Sequence, residues 1–286
     1  MQNITNYLLL FTGFITLSAT AQIKDPYRIF NQKGKQVSYK KMLKDLSRSE
    51  VILFGELHNN PIAHWLEYEV TSDLLKSDSL ILGAEMFEAD DQNTLNDYLM
   101  GFINAKTMDS IISPWPNYKT DYKPLVDLAK RNKLSFIATN VPRKYANLVF
   151  KKGFEALEPL TDQEKNYIAK LPIVYDPNLP SYKAMLEMMP GHGGANLPKA
   201  QAIKDATMAF FILKHLKPNH LFIHYNGSYH SNNFEGIGWY LKRQRSELNI
   251  KTINIVEQKA LRKPEAEHMN SAHYIIVVDK DMTKTY

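Results

Sequence analysis

The sequence predicts an α/β fold: a three-layer α/β/α sandwich with a mainly parallel sheet and an inserted helical lid. Short apolar runs rich in β-branched residues alternate along the chain with longer stretches of helical periodicity, as in parallel sheets covered by helices. Continuous apolar runs such as YIIVV suit strands that are buried on both faces. The chain has 286 residues, of which 44% are hydrophobic and 23% charged, and this is an ordinary globular composition.

Helical spacing and end signals predict two of the helices between the strands. The first should span 62–75, because Asn60 can cap it, Pro61 suits its first position and apolar residues recur at helical spacing. The second should span 197–216, with Asn196 as its cap. The six predicted strands are 51–54, 80–84, 134–139, 221–225, 252–256 and 274–278.

Two long stretches, about 90–130 and 143–198, interrupt this alternation. They are rich in Tyr, Met and Pro, and we interpret them as insertions that form a helical lid over the sheet. The part at 185–198 contains three Gly and two Pro, so it is predicted to be a loop rather than a continuous helix. We expect a single domain over residues 22–286 that carries both insertions.

Residues 1–21 have the pattern of a signal peptide. An apolar run ends in Ala19-Thr20-Ala21, which fits A-x-A cleavage, and the run is too short to span a bilayer as a stable helix. The sequence contains no cysteine, which excludes a lipoprotein anchor, disulfides and thiolate metal sites. We therefore expect an exported, soluble, periplasmic or otherwise extracytoplasmic protein that begins at Gln22 and is not a lipoprotein.

The charge pattern predicts no nucleic-acid partner. The formal net charge is +5, but Lys and Arg residues are scattered and acidic residues lie between them. A basic stripe interleaved with aromatic residues, as nucleic-acid binders carry, is not present in the sequence.

Carboxylates and imidazoles follow several predicted strands at the point where each strand ends. Glu56 and His58 follow the first strand, Glu85 follows the second, and His230 closes the NGSYH loop after the fourth. Because ligands of parallel sheets bind beyond the carboxyl ends of the strands, these four side chains are expected in one cleft.

Several of these residues, and three others, also have a structural interpretation. His58 could be a loop residue bonded to backbone, and His64 suits a supporting role slightly better than a ligand role. Glu85 ends a buried strand, where an unpaired carboxylate is costly, so it requires a cation, a metal or a proton. His224 lies within a strand and is interpreted as a core histidine. Arg143 could serve the site or form an ion pair at the start of a helix.

Six segments of the sequence form an ordered set that resembles a known family. They are LFGELHNNPIAHWLE, ILGAEMFE, ATNVPR, His192-Gly193-Gly194, QAIKDATMA, and HYNGSYHS followed by Gly236-Ile237-Gly238. The set resembles the ChaN-like haem-binding uptake proteins of the Tiki and erythromycin esterase superfamily, and it covers roughly residues 41–278. The chain departs from the family in lacking the lipoprotein cysteine. It also carries Ser228-Tyr229 where many members have smaller residues.

The resemblance implies an exported protein with a role in iron or haem acquisition. It implies haem as the cofactor or ligand, tyrosine ligation in a homodimer bridged by stacked haems, and an outer-membrane iron-uptake receptor as a partner. The ligating tyrosine does not align with a position in this sequence. Tyr182 and His192, both in the lid, are our candidates for haem binding, together with their Tyr and Met neighbours Tyr175, Met188 and Met189.

The Tiki branch implies an alternative use of the strand ends. Its metal site combines G-x-x-H, a glutamate and a later histidine, which His58, Glu85 and His230 match. Two imidazoles and a carboxylate could bind a divalent metal and lower the pKa of its water, with Glu56 as general base. The alternative function is thus a metal-dependent or His/Glu-dependent extracytoplasmic hydrolase, a peptidase or esterase, in which these four residues are catalytic. A third possibility is an adaptor whose cleft is vestigial.

Overall fold

The computed structural model describes residues 25–188 and 194–286. Its strands are β1 (Tyr27–Asn31), β2 (Val51–Glu56), β3 (Leu80–Glu88), β4 (Ser135–Asn140), β5 (Leu221–Gly227), β6 (Ile250–Gln258) and β7 (Tyr274–Asp279). They form one sheet in the order β1-β7-β6-β2-β5-β3-β4. The pairings are parallel except for β1 with β7, which is antiparallel. The predicted, mainly parallel sheet is confirmed.

Helices cover both faces of the sheet, which confirms the three-layer sandwich. Alternate residues of β2 show the two layers, because Ile52 and Phe54 join the core beneath α1–α5, while Val51 and Leu53 join the core beneath α6, α9 and α10. The helices are α1 (Tyr39–Leu46), α2 (Pro61–Leu74), α3 (Gln92–Met100), α4 (Ala105–Ile112), α5 (Lys123–Asn132), α6 (Arg143–Lys152), α7 (Asp162–Lys165), α8 (Pro180–Met188), α9 (Asn196–His215) and α10 (Ile237–Gln244).

The two predicted helices are confirmed, and one of the two predicted caps is wrong. Asn60 caps α2 as expected, since its side chain accepts hydrogen bonds from the backbone N–H groups of Ile62 and Ala63. Helix α9 begins at Asn196 itself, and Ala195 occupies the cap position without a side-chain hydrogen bond. All six predicted strands are present; five are extended by a residue or more, and the strand predicted at 134–139 is shifted by one residue to Ser135–Asn140.

Both long insertions are helical, but they pack on different faces of the sheet. The first contributes α3, α4, the π-helical turn Tyr118–Tyr122 and α5, whose buried side chains join the same core as α2. In the second, α6 packs against α9 on the opposite face. Within the described residues, no helix has the length and apolarity that crossing a membrane requires. The predicted signal peptide at 1–21, His192 and Met189 lie outside the described residues.

Candidate functional site

The ends of β2, β3 and β5 bring the four predicted residues to one edge of the sheet, because β5 lies between β2 and β3. His58 donates from Nδ1 to Glu56 Oε1 at 2.7 Å. His230 Nε2 lies 3.0 Å from Glu85 Oε1. The backbone N–H of Gly227 donates to Glu85 Oε2 at 2.8 Å. The four side chains meet at one sheet edge, and Glu56, His58 and His230 line one cleft while Glu85 does not; the chemical roles of these residues stay predictions.

Gly227 determines how closely the His58–Glu56 pair approaches the His230–Glu85 pair. A Cβ atom at this position would lie 2.6 Å from His58 Nε2 and 3.6 Å from Glu85 Oε2. Both side chains therefore pack against bare backbone, and any other residue here would push His58 aside.

His230 is held between two buried carboxylates. Its Nδ1 lies 2.5 Å from Oδ1 of Asp205, which is 1% exposed, and its Nε2 faces Glu85. Burial alone would lower the pKa of His230, but the charges of Glu85 and Asp205 raise it to about 10. Burial likewise opposes ionisation of Glu85, yet the charge of His230 holds the pKa of Glu85 well below its usual range.

This arrangement makes His230 an imidazolium at neutral pH, with both ring nitrogens used. A metal held by His58, Glu85 and His230 therefore requires that His230 first lose the proton that it shares with Glu85. Asp205 was not predicted. Its signal in the sequence is its position on α9 one turn from the apolar residues Ala202 and Ala209, which are also buried.

A second buried cluster adjoins Glu56 on the side of α2. The ring of His64 has its Nδ1 atom 3.0 Å from Glu56 Oε2 and 3.2 Å from Glu67 Oε2. Its Nε2 atom lies 3.0 Å from the carbonyl oxygen of His58 and 3.4 Å from Asp121 Oδ2. Burial and the charge of Glu56 raise the pKa of Glu67 to about 8. Glu67 and Asp121 were missed by sequence reasoning; the spacing of Glu67 from His64, three residues along α2, was the available signal.

The π-helical turn, with Asn117 directly before it, covers this cluster. The Asn117 amide donates to the carbonyl oxygen of His58 at 2.9 Å and to Asp121 Oδ2 at 2.7 Å. The Tyr122 hydroxyl donates to Glu56 Oε1 at 2.9 Å. The first insertion therefore covers part of the site, as a lid should.

An open cleft of about 640 Å³ lies over these strand ends. Tyr229 stands at its rim with 46% of its surface exposed, and its hydroxyl donates to Met188 Sδ at 3.2 Å. The residues that line the cleft are Glu56, Leu57, His58, Asn59, Met185, Met188, Leu197, Gln201, Gly227, Ser228, Tyr229, His230 and Tyr286. The cleft thus joins an apolar and aromatic rim to a base formed by His58, His230 and the Glu56 carboxylate.

Tyr182, the predicted haem ligand, does not line this cleft. It is 1% exposed, and its ring stacks on Tyr175 with 5.4 Å between the ring centroids. Burial and the charge of Asp205 raise the pKa of Tyr182 above its ordinary value. Its buried phenol is thus far less accessible than that of Tyr229.

Two further predicted residues have structural surroundings. His224 is fully buried and hydrogen-bonded, with Nε2 2.7 Å from Thr139 Oγ1 and Nδ1 3.1 Å from Asn226 Oδ1, so its interpretation as a core histidine is confirmed. Arg143 begins α6 with its side chain exposed, and its backbone N–H donates to Glu88 Oε2 at 3.0 Å.

Fold and site define a class: an α/β/α sandwich with an imidazole and carboxylate cleft at the strand ends. The chain belongs to the family described as haem-binding uptake, Tiki superfamily, ChaN, whose model matches residues 42–241. Among solved structures, it is similar to ChaN of Campylobacter jejuni, described with cofacial haem binding, at 17% identity over 88% of this chain and 97% of that chain, with a TM-score of 0.66. An erythromycin esterase mutant in its open conformation is 10% identical over 88% of this chain and 83% of that chain, with a TM-score of 0.46. None of the curated proteins matches the chain.

Proposed function

We propose that this protein binds haem in the cleft at the ends of β2 and β5 and serves haem or iron uptake outside the cytoplasm. The observation that carries the proposal is an exposed tyrosine, Tyr229, beside the apolar surfaces of Met185, Met188 and Leu197. The cleft volume of about 640 Å³ falls within the range of cofactor and small-molecule sites. Haem is planar and largely apolar, and tyrosine is one of the side chains that bind its iron.

Tyr229 fits the role of iron ligand better than Tyr182. An iron ligand must reach into the space that the porphyrin occupies, and 46% of Tyr229 is exposed against 1% of Tyr182. The sulfur of Met188 contacts the Tyr229 hydroxyl, and thioethers pack well against flat aromatic surfaces. Tyr286 also lines the cleft and is a second accessible phenol.

The buried charges beneath the cleft hold the tyrosine in place. Tyr229 lies in the 3-10 turn Ser228–His230, directly before the imidazolium that Glu85 and Asp205 clamp. This clamp fixes the turn to β3 and α9, so the phenol is positioned before a ligand arrives. Bound haem would supply an iron centre that accepts the phenol oxygen as a ligand.

The proposal extends to location and partners. It includes export with removal of residues 1–21, an outer-membrane receptor and a haem-bridged homodimer. The A-x-A pattern at Ala19–Ala21 is the basis of the export proposal, and the receptor and the dimer are carried over from the family resemblance. N-terminal sequencing of protein from the native cell should find Gln22 first, and retained Met1 would contradict export.

Hemin titration tests the function. Purified wild-type protein should show a saturable shift of the Soret band, and its sedimentation coefficient should rise to that of a dimer as hemin saturates. A flat titration of folded protein would contradict haem binding. Saturation without dimer formation would remove only the bridged dimer.

One observation favours a second candidate, the hydrolase. The side chain of His58 is 34% exposed, lines the cleft and hydrogen-bonds Glu56, an arrangement seen in general bases. However, although burial opposes it, the hydrogen bond and charge of Glu56 raise the pKa of His58 and so favour its protonated form. Hydrolysis of nitrophenyl esters that is lost in His58→Ala, together with a flat hemin titration, would select this candidate over haem binding.

A further inference from the structure

We propose that Glu56, His64 and Glu67 form a site for a divalent first-row transition-metal cation, which adjoins the haem cleft and shares only Glu56 with it. One ligand atom from each of these three residues lies within 4.8 Å of the other two. The three side chains are buried, and they come from two elements that the fold holds firmly together, β2 and α2. This inference does not depend on haem binding.

Local structure explains why the three side chains meet. His64 and Glu67 are three residues apart on α2, so they project from the same helix face. The start of α2 is fixed by Asn60, whose side chain caps it, and this places the first helical turn beside the end of β2. Glu56 is the last residue of β2. A Glu from one element with a His and a Glu at i, i+3 on a helix is a recurrent way to build metal sites in proteins.

The spacing of the donor atoms matches a coordination shell. His64 Nδ1 lies 3.0 Å from Glu56 Oε2 and 3.2 Å from Glu67 Oε2. Metal–nitrogen and metal–oxygen bonds of about 2.1 Å separate neighbouring donors by about 3.0–3.4 Å around the ion. The two separations from His64 are thus already those that a bound cation imposes, and the Glu56 and Glu67 oxygens lie within 4.8 Å of each other.

Unpaired acceptors supply the second, independent observation. The oxygens Glu56 Oε2, Glu67 Oε1 and Asn117 Oδ1 are buried and have no hydrogen-bond partner. The Nδ1 atom of His64 faces both carboxylates, and its one proton cannot bond to both at once. Among the described residues, Glu56, Glu67 and Asp121 form ion pairs with histidines and with no Lys or Arg. A bound ion would give these buried oxygens the partner that they otherwise lack.

The donor set indicates which cation fits. Two carboxylates with one imidazole suit Mn²⁺, Fe²⁺ or Zn²⁺ rather than Ca²⁺, which takes six or more oxygens. Glu56 also lines the cleft, so an ion can enter past His58. A cation in this position would tie α2 to the end of β2 and stabilise the floor of the cleft.

Metal titration of chelator-treated, full-length protein tests the site, with Mn²⁺ and Zn²⁺ as the probes. Calorimetry should give one equivalent bound, and the bound ion should raise the melting temperature. Glu67→Gln should weaken binding at least tenfold and abolish the rise in melting temperature. Glu69→Gln is the matched control, since Glu69 lies on the same helix two residues away, on another face, and it should bind like wild type.

Glu85→Gln separates this site from the strand-end set of His58, Glu85 and His230, and it should retain metal binding. Absence of binding by the wild type, or loss in Glu85→Gln with full binding in Glu67→Gln, would overturn the proposal. Circular dichroism reports whether each variant folds. If Glu67→Gln does not fold, His64→Gln provides the decisive measurement. A flat hemin titration would leave this result unchanged, so the two proposals fail separately.

Discussion

Replacing Glu85 with glutamine should destabilise the protein far more than the loss of an ordinary ion pair. The substitution keeps the size of the side chain but removes the charge that faces His230 Nε2 at 3.0 Å. It also places an amide group where Glu85 Oε2 accepts the N–H of Gly227 at 2.8 Å. His230 then keeps Asp205 as its remaining carboxylate partner.

The magnitude follows from burial. Both side chains of the pair are about 5% exposed, and removing one partner of a buried ion pair typically costs about 3–5 kcal/mol. Because the glutamine oxygen can still accept from His230, we expect the lower end, about 3 kcal/mol. For a domain of this size, that corresponds to a fall in melting temperature of roughly 6–12 °C.

Thermal unfolding followed by circular dichroism measures the effect. Glu50→Gln is the matched control, because it breaks an ion pair with Arg245 whose side chains are 42% and 41% exposed. That variant should lose at most about 1 kcal/mol. If Glu85→Gln melts within about 2 °C of wild type, or no lower than Glu50→Gln, the buried clamp on His230 does not stabilise the fold.

Two further perturbations test the pH dependence and the packing. The pKa of His230 is raised from 6.5 to about 10, so its contribution to the stability of the folded protein is complete below pH 6.5 and is lost as the pH rises through 10. Glu85 has a lowered pKa, so its contribution is present above about pH 4.5 and is lost in acid. The stability difference between wild type and Glu85→Gln should therefore be largest between about pH 4.5 and 6.5 and shrink towards pH 10; urea titrations that show a constant difference would contradict it. Gly55→Ala should lower the free energy of unfolding by about 1–3 kcal/mol, because the added Cβ would lie 2.9 Å from the carbonyl oxygen of Ile253. Gly238→Ala on α10 is the control. Its Cβ would lie 3.8 Å from the nearest atom, so this variant should be as stable as wild type or more stable in the same titrations.

The parallel sheet could be predicted because several of its strands contain uninterrupted apolar runs. Strands buried on both faces, such as β2 and β7, carry a strong signal that is independent of their partners. The edge strand β1 was missed, because the five residues YRIFN alternate only weakly in burial and pair with β7 from the far end of the chain. That pairing joins strands that are far apart in the chain, so a short sequence pattern does not predict it.

The sequence predicted those site residues that directly follow a strand, because the end of the strand places them at the sheet edge. Glu56 and His58 follow β2 directly, so their position follows from the strand that precedes them. Asp205 and Glu67 lie within α9 and α2. They reach the site because each helix packs with the face that carries this residue buried. Their burial depends on packing, which short sequence patterns report weakly.

The choice between tyrosines illustrates the same limit. Tyr182 lies in the Tyr- and Met-rich second insertion and Tyr229 in the NGSYH loop, and residue type does not separate the two phenols. Only the fold shows that one ring is stacked in the core while the other stands over the cleft. Accessibility was therefore the missing information.

Hemin titration of Tyr229→Phe beside Tyr182→Phe tests the central claim most directly. Both substitutions remove one phenol oxygen and little else. Haem binding through the cleft predicts that wild type and Tyr182→Phe saturate with the same Soret band, whereas Tyr229→Phe shifts the band and binds at least tenfold more weakly. Loss of the band in Tyr182→Phe with an unchanged Tyr229→Phe, or no saturable band in the wild type, would contradict the claim.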